Sequence, residues 1–301
     1  MKYCFILNPR AGPARERAAL APLLAAFIAT HRLDATIVAT ELRAHATELA
    51  HQAVARGCDV VVAVGGDGTM NEVARALVDS PAALGLIPRG SGNGLARHLG
   101  IPLAPSAALA ALLASSPRLI DVGEANGRVF FCAMGAGFDA AVLTHFERLP
   151  MRGLSAYLVA ATRLFFRYRC ESYALHLGSE LAPAQPALLV AVANCDQFGN
   201  NARLAPGARA DDGLLNLVLI PPVNFFSALP LLARLFAGSL DRSPRVRRWT
   251  GDHFVITRET PGPMHVDGEL VETTAAISIR LRPAALRVLA PSPAEIQSNR
   301  E

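Results

Sequence analysis

"VVVAVGGDGTMNEVARAL", residues Val60–Leu77, decides how the chain is read. Five apolar residues, four of them β-branched, form a run too short for a helix and too apolar for an exposed strand. This is the pattern of a strand covered on both faces. The run stops at Gly65-Gly66-Asp67-Gly68-Thr69, and a helical pattern follows from Asn71 to Asp79. In an open parallel sheet, ligands bind beyond the carboxyl ends of the strands, where helix N-termini offer backbone N–H groups. Gly65, Gly66 and Gly68 are expected to let backbone approach a phosphate and to reach positive φ. Thr69 can cap the helix or touch a phosphate oxygen. Asp67 repels a bare phosphate, so its presence implies an intervening cation such as magnesium. The plainer alternative is a glycine-rich turn with a capping threonine. Asp67, Asn71 and Glu72 weigh against it.

The same alternation extends on both sides. Lys2–Leu7, Asp34–Thr40 and Ala83–Ile87 read as further strands. Helical patterns lie over "NPRAGPARERAALAPLLAAFIATH", Leu42–Arg56 and Ser106–Ser115. Repeated βα units imply a mostly parallel sheet with helices on both faces. Near Asp121–Gly123 the rhythm changes. A hairpin signal stands at Ala125–Gly127, followed by strand-like runs at Ser172–Leu177, Ala187–Asn194, Leu214–Ile220, His253–Thr257 and Ala276–Leu281. Helical patterns occupy Leu154–Phe166 and Phe225–Ala237, and residues 291–301 read as a fraying tail. The second half is therefore expected to be β-rich and mainly antiparallel.

Composition narrows the function. The chain has 301 residues, 51% of them hydrophobic, and a net charge of +4. Lys2 is its sole lysine, which excludes a P-loop lysine, a protein-kinase lysine and a Schiff-base lysine together. No basic block with interleaved aromatics supports a nucleic-acid partner. Cys4, Cys58, Cys132, Cys170 and Cys195 are scattered, without a CxxC pair. That argues against a disulfide framework or zinc site and for a reducing compartment. "MKYCFILNPR" reads as a strand rather than a signal peptide, and no uncharged stretch reaches membrane-spanning length. A cytoplasmic location is expected, with peripheral contact at the inner membrane surface left open.

"PRGSGNGLAR" (Pro88–Arg97) repeats the logic of the first loop after the fourth strand. Two neighbouring strands ending this way would form one continuous nucleotide cradle. Neither loop is GxxxxGK[ST], and Ser91 does not sit in a GxSxG elbow. Together these residues resemble the soluble lipid kinases with a diacylglycerol-kinase-type catalytic domain, which include bacterial diacylglycerol kinases and sphingosine kinases. Asn8-Pro9 with Gly12, Thr40, "GGDGTMNE", "GSGNGLAR", "GAGFDAAV" (Gly135–Val142), "LAPGARADDGLLNLVLI" (Leu204–Ile220) and "VDGE" (Val266–Glu269) carry the resemblance in order across nearly the whole chain. GGDGT alone is shared with NAD kinases and phosphofructokinases.

The resemblance implies an α/β nucleotide-binding domain over residues 1–122, to which residues 283–301 return. It also implies a β-sandwich lipid-substrate domain over residues 123–282 and an active site in the cleft between the two. ATP would lie across Asn8, Thr40, Gly65, Gly66, Asp67, Gly68, Thr69, Asn71 and Ser91. Asp212 would bind magnesium with the backbone carbonyls of Arg209 and Leu214, although "DDG" is equally a turn sequence. Many bacterial diacylglycerol kinases carry an acid where this chain has Gly94, so the lipid cannot be carried over from them. Diacylglycerol, a sphingoid base, ceramide and related alcohols stay open, as does a homodimer.

Phosphoryl transfer to an alcohol needs a carboxylate near the attacking hydroxyl. The acid pair of the resemblance is Asp267 and Glu269. On an extended strand the two would face the same side, with Glu269 as general base and Asp267 assisting or holding metal-bound water. Their bland alternative is an exposed hairpin turn. Asp67 would act through magnesium and its waters. His265 and His98 read as structural, and Arg97 is in reach of a phosphate. "RGLSAYLVAATRLFFRYR" (Arg152–Arg169) reads as a core-packed helix with a solvated face, or as a lip that touches anionic lipid. Two other readings compete: a NAD kinase, which places its Asn-Glu pair on a later loop, and a silent nucleotide-binding regulator, which predicts decay of motifs that are intact here.

Overall fold

The computed structural model describes residues 1–42, 44–147, 154–178 and 180–291, apart from the side chains of Glu147, Leu154 and Ala156. The expected tail beyond Pro291 and the start of the Arg152–Arg169 segment lie outside the described residues. The chain divides into two compact units. One contains Met1–Ile120 and the chain from Ala284 onward; the other is Asp121–Pro283.

The first unit is α/β. Its elements are β1 (Lys2–Leu7), α1 (Ala14–His31), β2 (Asp34–Ala39), α2 (His45–Ala55), β3 (Val60–Gly65), α3 (Asp67–Leu77), β4 (Ala83–Pro88), α4 (Gly94–His98) and α5 (Pro105–Ala114). The strands pair in parallel in the order β2-β1-β3-β4. Every residue of β3 and β4 is buried, as a strand covered on both faces requires. After β2 the chain returns to the far side of β1 and continues outward, so the strand order reverses between β1 and β3. That is the topological switch point, and in open α/β sheets the ligand crevice lies at such a point beyond the carboxyl ends of the strands, here Leu7 and Gly65. Of the 18 residues of α1 only Leu20 and Leu24 are buried, a narrower stripe than its apolar content suggests. Helix α3 begins at Asp67 rather than Asn71. Gly66 is the extended N-cap, and an acid in the first turn suits the positive end of the helix dipole.

The second unit is a β-sandwich. Its elements are β5 (Ser116–Ala125, entering from the first unit), β6 (Arg128–Phe130), β7 (Ala133–Gly137), α6 (Phe138–Glu147), α7 (Leu154–Phe165), β8 (Glu171–Leu177), β9 (Glu180–Ala187), β10 (Leu189–Ala193), β11 (Leu215–Ile220), α8 (Phe225–Ala237), β12 (Arg247–Gly251), β13 (His253–Arg258), β14 (Gly262–Val266), β15 (Glu269–Thr273) and β16 (Ala276–Ala290). One sheet runs β12-β11-β10-β7-β14-β15, all antiparallel. The other is formed by β16, β13, β8 and β9, also antiparallel. Their inner faces interdigitate: Met134, Val190, Val192, Leu217 and Val266 pack with Tyr173, Phe254, Ile256, Ile277 and Ile279. The alternate residues Ala191, Ala193, Val218 and Ile220 pack on the opposite face with Leu204, Leu231 and Leu240. The period of two explains why these strands read as continuous apolar runs. The second half of β16 pairs in parallel with β4, Val288 opposite Leu84.

Candidate active site

At the switch point the two glycine-rich loops are tied to each other. The Asp67 carboxylate accepts N–H bonds from Asn93 and Gly94, each at 2.8 Å, one to each oxygen. The first turn of α3 thereby holds the start of α4. Asn93 is in the left-handed region at φ 51° and closes its own loop, accepting from Gly90 N–H at 2.8 Å and donating to Gly90 O at 2.7 Å. Arg97 Nε donates to Gly92 O at 2.9 Å. A void of about 10 Å³ beneath the loops, lined by Gly65, Gly66, Asp67, Met70, Asn93 and Leu95, holds one water at most.

The glycines work differently from expectation. Gly65, Gly66 and Gly68 all have ordinary φ; positive φ falls instead on Asn93 and on Gly12 (φ 80°). Gly65 is required because a Cβ there would come within 2.5 Å of Thr69 Oγ1. Gly66 and Gly90 pass back to back, and a Cβ on Gly90 would lie 2.8 Å from Gly66 Cα. Close loop contact, rather than backbone freedom, is what most of them supply. Gly68 is the exception: it is exposed, and a Cβ there would meet nothing within 4 Å.

Asn8, beyond the end of β1, donates from Nδ2 to Thr69 Oγ1 at 3.0 Å and accepts Arg10 N–H at 2.9 Å. Thr40 donates its N–H to Leu7 O at 2.9 Å, and Ser91 is exposed in the second loop. The structure thus brings Asn8, Gly65–Thr69 and the Asp67-tethered second loop together at one end of the sheet. Asn71 does not join them. It is completely buried, and neither end of its amide has a partner among the described residues, so it offers a nucleotide no surface.

Two residues of this region make contacts that the sequence did not reveal. Glu72 accepts the N–H groups of Ala44 at 3.0 Å and Ala46 at 3.1 Å, and so caps α2 from outside. Arg89 is 8% exposed and ion-paired with Glu16 at 3.0 Å; its Nε and Nη2 have no partner among the described residues. Lys2 Nζ is spent at the other end of β1, on Arg56 O at 2.8 Å. Cationic chemistry at the switch point falls to arginine.

In the second unit the acid pair is not on an extended strand. Val266 pairs with Glu269, leaving Asp267 (φ 50°) and Gly268 (φ 83°) as a two-residue hairpin turn. This is the Asp-Gly signature of turns whose twist matches the flanking strands. The same-side argument for the pair fails, because it assumed an unbroken strand. The Asp267 carboxylate accepts three backbone N–H bonds, from Phe131 (2.8 Å), Cys132 (2.8 Å) and Ala133 (3.0 Å). It anchors the β6–β7 corner. Glu269 is half-buried at the first position of β15.

His265 has a partner that the sequence did not reveal. Its Nε2 lies 2.9 Å from Asp139 Oδ2, and both residues are under 5% exposed. Gly268 N–H points at Nδ1 at 3.4 Å, so Nδ1 accepts and the proton sits on Nε2, donated to Asp139. The dyad braces the turn that carries Asp267 and precedes Glu269. A Cβ on Gly135 would overlap the Asp139 carboxylate and stand 2.7 Å from His265 Nε2. Gly135→Ala is expected to lower stability by about 1–3 kcal/mol through this overpacking; unchanged thermal melting of the full chain would refute it.

At "DDG", Asp212 Oδ1 accepts Leu214 N–H at 3.0 Å, Arg209 Nε donates to Asp211 at 3.0 Å, and Asp121 Oδ2 accepts Gly213 N–H at 2.8 Å. No group of three His, Cys, Asp or Glu side chains able to hold a metal occurs among the described residues. One exposed carboxylate and neighbouring main-chain carbonyls are hard oxygen donors, which suit a largely hydrated magnesium ion and no softer metal.

Residues 2–125 match the diacylglycerol kinase catalytic domain, and residues 132–290 match the YegS C-terminal NAD kinase beta sandwich-like domain. A Pseudomonas fluorescens protein named "Probable lipid kinase YegS-like" is 33% identical over 255 residues, 82% of either chain. A Pseudomonas putida protein of the same name is 32% identical over 260 residues, 84% of either chain. Among solved structures, a diacylglycerol kinase from Bacillus anthracis str. Sterne superposes with a TM-score of 0.73 at 19% identity, over 97% of both chains. An NAD kinase from Archaeoglobus fulgidus in complex with ATP gives 0.58 at 12% identity, over 98% of this chain and 96% of that one. At these identities the structural likenesses establish the fold alone.

Proposed function

The chain belongs to the YegS-like lipid kinases with a diacylglycerol kinase catalytic domain, and from that premise we propose that it transfers the γ-phosphate of ATP to a hydroxyl of a membrane lipid. The observation that carries the nucleotide half is the switch-point crevice of the first unit, where Asn8, Thr69, exposed Gly68 and the Asp67-tethered loop meet the N-terminus of α3. Asn8, Thr40, Gly65, Gly66, Gly68, Thr69 and Ser91 hold the nucleotide. Asn71, buried within α3, is left out of this set. Asp67 uses two of about four lone-pair directions on the second loop; with magnesium bound, those left would be available to hold the ion's water.

Magnesium on the nucleotide phosphates would neutralise charge that develops on the transferred group. A second ion would be held by Asp212 with the carbonyls of Arg209 and Leu214. Removal of magnesium is expected to lower the melting temperature of the wild type and to leave Asp212→Ala, already at the lower value, unmoved. Equal shifts in both proteins would remove that ion.

Glu269 takes the proton of the attacking hydroxyl, and Asp267 positions it by fixing the turn. Incubation with radiolabelled ATP and either total lipid extract or NAD tests the reading as a whole. Label in the organic phase is expected, and label on NAD would replace the lipid acceptor. Nucleotide binding without transfer across a broad lipid panel would leave a regulator.

A further inference from the structure

Helices α7 and α8 leave an apolar face uncovered. Leu231 is buried and Leu235 packs against the same core, so the inner side of α8 is satisfied. Its outer side nonetheless carries Phe225, Phe226, Leu229 and Leu232, exposed by 37%, 82%, 48% and 40%. Phe166, immediately after α7, is 68% exposed and stacks on Phe225 with ring centroids 5.3 Å apart. Phe165 meets Phe225 edge-on at 6.2 Å, and Phe225 meets Phe226 at 6.0 Å. The exposed rings are thus one connected patch, held by contacts between the helices. Contiguous exposed aromatics of this kind mark an interaction surface.

The charges beside the patch identify its occupant. Arg163, Arg167 and Arg169 are all exposed, and neither Leu154–Cys170 nor Pro221–Ala237 contains an aspartate or glutamate. A two-fold contact with a second copy would set arginines near arginines with no acid in either segment to answer them. Aromatics with arginines and without acids match the boundary of an anionic bilayer, where rings enter the acyl edge and guanidinium groups stay among the headgroups. No helix among the described residues is long and apolar enough to cross a membrane, so the contact lies in the interface plane.

We propose that the α7–α8 aromatic patch, from Phe166 across Phe225 and Phe226 to Leu232, docks this protein on anionic membranes. The proposal rests on the lipid-kinase reading in taking a bilayer as the source of substrate, and its test needs no kinase activity.

The full chain is sedimented with phosphatidylcholine vesicles, alone or with phosphatidylglycerol added as the anionic component, without ATP. Wild type is expected to bind the anionic vesicles. Phe166→Asp/Phe226→Asp should lower the partition coefficient roughly 100-fold, about tenfold for each ring withdrawn from the acyl edge. Replacing Arg163, Arg167 and Arg169 by glutamine should cost about 100-fold on anionic vesicles and little on neutral ones. Phe226→Ser, at a largely exposed position, guards against misfolding and should show the single-ring effect with unchanged melting. Equal binding by wild type and variants would overturn the proposal. Failure of wild type to bind would do the same, as would a wild-type dimer that these substitutions turn into monomers. Lipid phosphorylation, assayed separately in detergent micelles, reports on the kinase reading whatever the vesicles show.

Discussion

Replacing Asp67 by alanine or asparagine is expected to lower kcat/KM at least about 100-fold while the chain stays folded. The carboxylate accepts one N–H from Asn93 and one from Gly94. Hydrogen bonds to a charged group are worth about 1.5–3 kcal/mol each, so losing both detaches the start of α4 from α3. Asparagine can satisfy one of the two donors and turns its own NH₂ toward the other, so it should be no better than alanine. The loss is local: β3 and β4 are buried along their whole length and pair over six residues without help from the loop. Activity should therefore fall far more than the melting temperature. ATP affinity measured by calorimetry should fall with activity, because the loop forms part of the cradle. Near-wild-type turnover at saturating magnesium would sink both the tether and the metal-water role of Asp67. A collapse of melting to match the loss of activity would make Asp67 a fold residue instead.

The core of the first unit was readable because its signals are local. A β-branched run, a glycine break and a helical period fall within eighteen residues, and they place the loop beyond the strand without knowledge of anything else in the chain. What the glycines do there was not local. Gly66 is fixed by its contact with Gly90, twenty-four residues on, and Gly65 by Thr69 four residues on, so their small size matters through packing that residue identity alone does not display. Glu72 was visible as part of a motif, but its partners Ala44 and Ala46 lie 28 and 26 residues away, and main-chain N–H groups leave no trace in residue identity. The His265–Asp139 pair spans 126 positions and was beyond reach for the same reason. The Asp267 error is different in kind. Asp-Gly between two apolar segments is a strong hairpin signal, and it lost to the attraction of two acids spaced for one face of a strand. The left-handed φ of Asp267 and Gly268 decides the matter in favour of the turn.

That turn separates the acid pair into two expected outcomes. Glu269→Gln keeps the size and hydrogen-bonding capacity of the side chain and removes the base. General-base contributions run to roughly 100- to 10,000-fold, so kcat should fall by about that range. ATP affinity and melting should stay near wild type, since the nucleotide is assigned to residues of the first unit. Asp267→Asn should behave oppositely. Its carboxylate accepts three main-chain N–H bonds, and an amide has one acceptor oxygen and a donor where a second oxygen was. Leaving buried donors unpaired costs about 1–3 kcal/mol each, so the main effect should be lower stability. kcat should recover as the temperature is lowered or as the turn is otherwise held. Measuring kcat, KM for ATP and the melting temperature for both variants under one set of conditions decides the case. A large kcat effect at Asp267 with unchanged melting, beside little effect at Glu269, would make Asp267 the base despite its three donors. If neither substitution slows transfer, the proton leaves by another group and the role of β15 is structural.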